Sequence, residues 1–106
     1  MTHRIFITLM LSMAFLSACN TGIDAKNYKK TCTTDATCAT VFSGDSCANC
    51  QCTNAAISTT ETARYTSDWS TLHSYCPKSF QPNAVQCSPC ENRPAVCLDG
   101  TCVIAP

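Results

Sequence analysis

The chain has 106 residues, the length of one small domain. Its 11 cysteines are several times ordinary usage and indicate a disulfide scaffold. This length excludes a large doubly wound or barrel enzyme. A formal net charge of +0 argues against a nucleic-acid partner, because nucleic-acid binding needs a basic face.

The N-terminal residues have the form of an export signal. One arginine, Arg4, precedes an apolar stretch over residues 5–16. That stretch has the length of a signal-peptide core and is too short to cross a bilayer core of roughly 30 Å as a helix. Two small residues then lead into Cys19. We therefore predict a signal peptide over residues 1–18.

The four residues Leu16-Ser17-Ala18-Cys19 resemble the lipobox of bacterial lipoproteins. In that class the cysteine thiol carries diacylglycerol, the chain is cut before the cysteine, and the new amine usually carries a fatty acid such as palmitate. The resemblance implies lipidation of Cys19 and attachment to a membrane of the cell envelope through that lipid. In Gram-negative lipoproteins, an aspartate directly after the lipidated cysteine retains the protein in the inner membrane. Here that position is Asn20, so the resemblance implies the outer membrane if the cell is Gram-negative. The alternative is an ordinary secretory signal followed by a chance cysteine.

The next segment is polar and shows no apolar periodicity. We predict that residues 19–31 are the lipidated N-terminus and a flexible tether. A disulfide-rich domain follows over residues 32–106. The lysines of the tether are either solvated or close to anionic headgroups.

Ten cysteines are left once Cys19 is set aside as the lipid site. Export places them in an oxidising compartment, and their even number predicts five disulfides. The pairing cannot be deduced from sequence. The predicted disulfide cysteines are Cys32, Cys38, Cys47, Cys50, Cys52, Cys76, Cys87, Cys90, Cys97 and Cys102.

One helix is predicted over about residues 59–75, after a β-prone stretch at 40–42 and a turn at 43–46. Ser58 and Glu61 have the spacing of a capping box, and Pro77 ends the helix. Recurrence at helical spacing predicts one apolar stripe that faces the core. The stripe consists of Tyr65, Trp69, Leu72 and Cys76.

The C-terminus predicts a β-hairpin over about residues 95–104. The Asp-Gly pair at 99–100 has the signature of a two-residue type I′ turn. In that register Cys97 faces Cys102. We expect each of these two cysteines to form a disulfide with the helix or with the cysteines of 47–52. A disulfide between Cys97 and Cys102 would close only a short loop and so constrain few residues. The predicted fold class is a small disulfide-rich α+β domain with a central helix, this hairpin and irregular stapled loops.

Two C-x-x-C pairs begin at Cys47 and Cys87 and could supply four thiolates to zinc. A redox site would need such a pair at a helix N-terminus. In an exported chain disulfides are favoured over both. His73 is the one histidine after the signal, with Asp68 or Glu61 as its candidate orienter, and there is no Gly-x-Ser-x-Gly elbow. We expect no enzyme activity, no catalytic or metal residues and no cofactor.

A binding role is favoured, because stapled loops lose little entropy on association. Residues 77–94 are rich in proline, carry Phe80 and Arg93, and are the predicted site for a protein partner. The predicted function is a lipid-anchored, exported cysteine-rich module with a binding or envelope-structural role. The first alternative is a small protease inhibitor that presents residues 77–94. The second is a thiol redox or zinc protein.

The cysteine spacing supplies a second resemblance. The patterns Cys32-x5-Cys38 and Cys47-x2-Cys50-x-Cys52, followed by a helix, are similar to those of uncharacterised cysteine-rich lipoproteins of myxobacteria-like organisms. This resemblance covers most of the chain after the signal. It implies the same exported, lipidated class and brings no activity with it.

Overall fold

The computed structural model describes residues 20–77 and 86–106. Within them lie three two-stranded antiparallel sheets and one α-helix. The strands are β1 Gly22–Ile23, β2 Cys38–Val41, β3 Gly44–Asp45, β4 Ala55–Ser58, β5 Ala95–Leu98 and β6 Thr101–Ile104, and the helix α1 is Thr62–His73. The predicted disulfide-rich α+β fold is confirmed.

The central helix lies where its periodicity placed it. A 3-10 turn at Thr59–Glu61 leads into α1, and the backbone N–H of Tyr75 closes the last turn on the carbonyl of Leu72. The predicted stripe faces the core. Its members Tyr65, Trp69 and Leu72 are half-buried and pack against the buried cluster.

The predicted capping box at the start of this helix is wrong. The hydroxyl of Ser58 donates to the carbonyl of Thr31, and the Glu61 carboxylate accepts from Nε of Arg64 at 2.8 Å. Ser58 ends the buried strand β4, and its backbone N–H donates to the carbonyl of Lys29. The preceding chain therefore takes the hydroxyl and the N–H of Ser58, and Arg64 takes the carboxylate of Glu61, so neither hydrogen bond of a capping box forms.

The C-terminal hairpin is confirmed in its strands, its register and its turn. Asp99 and Gly100 both have positive φ, 50° and 76°, as a type I′ turn requires. Cys97 lies opposite Cys102, and the two do not bond to each other. Their expected partners were wrong. They bond to Cys32 and Cys38, because β5 and β6 pack on β2, β4 and the chain before β2.

The prediction that residues 20–31 are a flexible tether is also wrong. This N-terminal segment contributes Ile23, Ala25 and Tyr28 to the buried core, where they join Val41 and Ile57. β1 pairs with β3, so Gly44 and Asp45 lie in a strand and not in the predicted turn. Burial of three apolar side chains offsets the entropy lost when the segment is ordered.

Five disulfides connect the elements. They join Cys32 to Cys97, Cys38 to Cys102, Cys47 to Cys76, Cys50 to Cys87, and Cys52 to Cys90. The last two bonds attach the exposed residues 86–94 to the loop before β4. Residues 78–85 of the predicted partner loop 77–94, including Phe80, lie outside the described residues. In the part of the chain that the structure describes, no helix is both long and apolar enough to cross a bilayer.

Candidate functional site

An open cleft of about 560 Å³ lies between the C-terminal half of α1 and the loop after β3. Its walls combine one aromatic pair, two amide side chains and one disulfide. The residues that define it are Cys47, Asn49, Gln51, Trp69, His73 and Cys76. We call this feature the Trp69 cleft.

Hydrogen bonds hold the aromatic wall of the cleft in one orientation. The indole Nε1 of Trp69 donates to Oε1 of Gln51 at 3.0 Å. Nε2 of Gln51 donates in turn to the carbonyl of Ser46 at 2.9 Å. The imidazole of His73 stacks on the indole with centroids 4.6 Å apart and an interplanar angle of 11°. An aromatic surface fixed in this way loses little entropy when a ligand packs on it.

The same carbonyl defines the tautomer of His73. Nδ1 lies 2.9 Å from the carbonyl oxygen of Ser46, which can only accept, so the proton is assigned to Nδ1. Sγ of Cys76 lies 3.6 Å from the same nitrogen. The bond between Cys47 and Cys76 joins the two walls of the cleft and places a disulfide beside an imidazole N–H.

The carboxylates considered as orienters of His73 are engaged elsewhere. Oδ2 of Asp68 accepts from the Tyr28 hydroxyl at 2.6 Å, and Glu61 pairs with Arg64. The Arg64 guanidinium beside Glu61 holds the pKa of that carboxyl below its ordinary value. No Ser-His-carboxylate arrangement is therefore built from these residues, although all of them lie on or beside α1.

The four cysteines considered as zinc ligands do not form a thiolate set. Cys47 and Cys50 bond to different partners, as do Cys87 and Cys90. A sulfur held in a disulfide is not a thiolate, and a cysteine binds zinc only as the thiolate. The closest cluster of sulfurs among the described residues belongs to Cys32, Cys38 and Cys102, which also lie in disulfides.

Sequence reasoning found some of this site and missed the rest. It placed Trp69 in a core-facing stripe and considered His73 only as a histidine that Asp68 or Glu61 could orient. It did not single out Gln51 or Asn49, which lie within the cysteine cluster 47–52. Their position between closely spaced cysteines could have indicated a role, because disulfides that fix this loop also fix the amide side chains on it.

This fold and cleft define the chain as a small disulfide-rich α+β protein. No protein-family model, no curated protein and no solved structure matches it. The resemblance to bacterial lipoproteins, carried by residues 16–19, stays a prediction. Cys19 lies outside the described residues, which begin one position later.

Proposed function

We propose that this protein is a lipid-anchored, exported module of the bacterial cell envelope, and that it binds a small polar ligand in the Trp69 cleft. The lipobox-like residues Leu16 to Cys19 support the anchor. Five disulfides in the remaining chain fit an oxidising compartment outside the cytosol. The observation that carries the binding role is the hydrogen-bonded and stacked pair Trp69–His73 on the wall of an open cleft.

The chemistry of the cleft defines the class of ligand. An indole that is half-buried and fixed by Gln51 offers an apolar surface. The exposed side chains of Asn49 and His73 offer hydrogen-bonding groups at the rim. A ligand with a flat or ring-shaped apolar part and several polar groups, such as a saccharide or a small peptidoglycan fragment, complements this combination.

The anchor is tested by replacing the cysteine that would carry the lipid. Cys19→Ala should move the protein from the detergent phase to the aqueous phase in a cloud-point separation, because no acyl chain would be attached. Cys76→Ala serves as the matched control and should stay in the detergent phase. Detergent partitioning of the Cys19 variant would contradict the anchor.

The cleft is tested with the chain's own fluorophore. Trp69 is the one tryptophan of the chain, so its emission reports on the cleft alone. Soluble peptidoglycan fragments and envelope saccharides should shift or quench this emission in a saturable way. Asn49→Ala should weaken the response, and Leu98→Ser, at the exposed hairpin, should leave it unchanged. A response that is equal in both variants, or absent with every fragment, would contradict ligand binding in the cleft.

A second candidate, thiol–disulfide exchange at Cys47–Cys76, is favoured by the contact between His73 and Cys76. A thiolate of an incoming dithiol protein would attack Sγ of Cys47 and form a mixed disulfide. The electron pair of the broken bond would go to Sγ of Cys76, where the N–H on Nδ1 of His73 would stabilise the thiolate. The second thiol of the partner would then release Cys47 and complete the reduction.

Limited reduction followed by alkylation and peptide mapping tests this candidate. Cys47 and Cys76 should be labelled before Cys32 and Cys97, and His73→Phe should slow their labelling several-fold by removing the N–H. The exposed Cys50–Cys87 bond is the control for simple accessibility, and its rate should not respond to His73→Phe. Equal rates for Cys47–Cys76 in both proteins would assign that bond a structural role only.

A further inference from the structure

The N-terminal segment is fixed to the domain from its first described residue. Oδ1 of Asn20 accepts from the backbone N–H of Gly22 at 2.9 Å. The hydroxyl of Thr21 donates to Oδ1 of Asp45 at 2.6 Å, and the Thr21 carbonyl accepts from the N–H of Ser46 at 3.0 Å. No free spacer therefore lies between residue 20 and the folded domain.

Contacts further along the segment hold it in place. Ile23 and Tyr28 are 4% and 6% exposed. The Tyr28 hydroxyl bonds to Asp68 on α1, and the Arg64 guanidinium lies 4.4 Å from the centre of the Tyr28 ring. Detachment of the segment from the domain would expose two large apolar side chains to water and break the hydrogen bond to Asp68.

This attachment sets how far the domain can stand from a lipid on Cys19. Adjacent Cα atoms lie about 3.8 Å apart, and a single peptide unit separates Cys19 from the fixed Asn20. If the residues up to 31 were flexible, they would instead give a spacer with a typical end-to-end distance of roughly 20 Å. The fixed segment removes that spacer.

We propose that the surface around Asn20 is a membrane-facing surface that rests on the headgroup layer of the bilayer and holds the domain in one orientation. This N-terminal face consists of Asn20, Gly22, Asp24, Lys26, Ser43 and Asp45. The inference rests on the proposed lipid at Cys19. Beyond the anchor itself, it names the N-terminal face as the surface in contact, the lipid headgroups as the partner, and a single orientation of the domain at the membrane.

The chemistry of the N-terminal face fits headgroups and not acyl chains. Asn20, Asp24, Lys26 and Asp45 are all exposed, and each side chain is polar or charged. Two carboxylates and one ammonium leave the face slightly acidic. Anionic lipids would not attract it, so the lipid on Cys19 and not a basic patch must hold the face against the membrane.

Paramagnetic broadening tests the orientation in the full lipidated chain. The protein is placed in lipid nanodiscs that contain a lipid with a spin-labelled headgroup, and the loss of each backbone amide signal is measured. The amides of Gly22, Lys26 and Gly44 should broaden much more than those of Asp99 and Gly100. The latter belong to the hairpin, which packs mainly on β2 and β4. The same pattern is expected with and without anionic lipid.

The matched control restores a spacer. A Gly-Ser insertion of about ten residues between Asn20 and Thr21 keeps the residue after Cys19 and frees the domain from its anchor. Broadening should then become weak and similar at Gly22, Lys26 and the hairpin. If the original chain carries lipid by mass but its N-terminal face and hairpin broaden equally, the proposed orientation is overturned and the proposed anchor is not. A chain whose mass shows no lipid would overturn the proposed anchor as well.

Discussion

The Tyr28 hydroxyl donates a hydrogen bond of 2.6 Å to Oδ2 of Asp68, across 40 residues of sequence. The ring of Tyr28 also meets the Tyr65 ring edge-on at 5.5 Å. One side chain therefore joins the N-terminal segment to the central helix through a polar and an aromatic contact. The proposed orientation at the membrane depends on this junction, because it keeps the segment from acting as a spacer.

Removal of the Tyr28 hydroxyl should destabilise the whole domain. Tyr28→Phe keeps the ring and its contact with Arg64 but leaves the Asp68 carboxylate without this donor. Hydrogen bonds to charged groups contribute about 1.5–3 kcal/mol, and we expect a loss of that size in the free energy of unfolding by urea. Tyr75→Phe is the control, because Tyr75 is 66% exposed. Equal midpoints for Tyr28→Phe and the original chain would show that the junction contributes nothing.

The same junction predicts a loss of stability in alkali. Burial, and then the hydrogen bond to Asp68, raise the pKa of Tyr28 from 10.0 to about 12. The folded state thus holds the phenol proton more tightly than the unfolded state does. The stability from this group is complete below pH 10 and is lost as the pH rises to about 12, and a shift of this size corresponds to about 3 kcal/mol.

Urea unfolding at a series of pH values measures this loss. Burial also raises the pKa of Tyr65, so Tyr28→Phe should remove part of the alkaline slope and not all of it. Absorbance of the phenolate follows the titration directly. An identical slope in the Tyr28 variant would contradict the assignment.

Ile57 is the centre of the small core and should be sensitive to truncation. It is 0% exposed, lies on β4 and packs among the buried residues of the N-terminal segment and β2. Ile57→Ala should cost about 2–5 kcal/mol of unfolding free energy through lost burial and a residual cavity. Leu98→Ala should change it by less than about 0.5 kcal/mol, because Leu98 is 61% exposed. Similar melting temperatures for both variants would place the core elsewhere.

The bond between Cys38 and Cys102 should contribute strongly to stability. It closes a loop with a sequence separation of 64, and Cys102 is 1% exposed. Cys32–Cys97 already ties the same two segments, so the loop that this bond adds in the unfolded chain is short. Replacement of both cysteines by alanine should therefore lower the free energy of unfolding by about 3 kcal/mol. Calorimetry of the double variant checks this. A melting temperature within a few degrees of the original would show that packing and the Cys32–Cys97 bond hold the hairpin without a contribution from Cys38–Cys102.

The helix and the hairpin could be predicted because their signals are local. The spacing of Tyr65, Trp69 and Leu72 indicates a helical period, and the pair Asp99-Gly100 indicates a type I′ turn. The N-terminal segment could not be predicted in this way. Its polar composition describes a linker, and its two large apolar residues find their partners on elements far along the chain.

The cleft and the disulfide pairing depended on tertiary structure in the same way. Gln51 acquires its role only once the fold brings Trp69 and Ser46 beside it. The pairing of Cys97 with Cys32 follows from where the hairpin packs, and no spacing of cysteines encodes that contact. The same limit applies to Cys102 and Cys38.

The intact mass of the protein, purified from bacterial membranes, tests lipidation of Cys19 and disulfide bonding of the other cysteines in one measurement. We expect a chain that begins at Cys19, carries diacylglycerol on that residue, and gains ten hydrogens on reduction, two for each of five disulfides. A native chain that keeps residues 1–18, or one that carries no lipid and does not change in mass on reduction, would contradict this expectation.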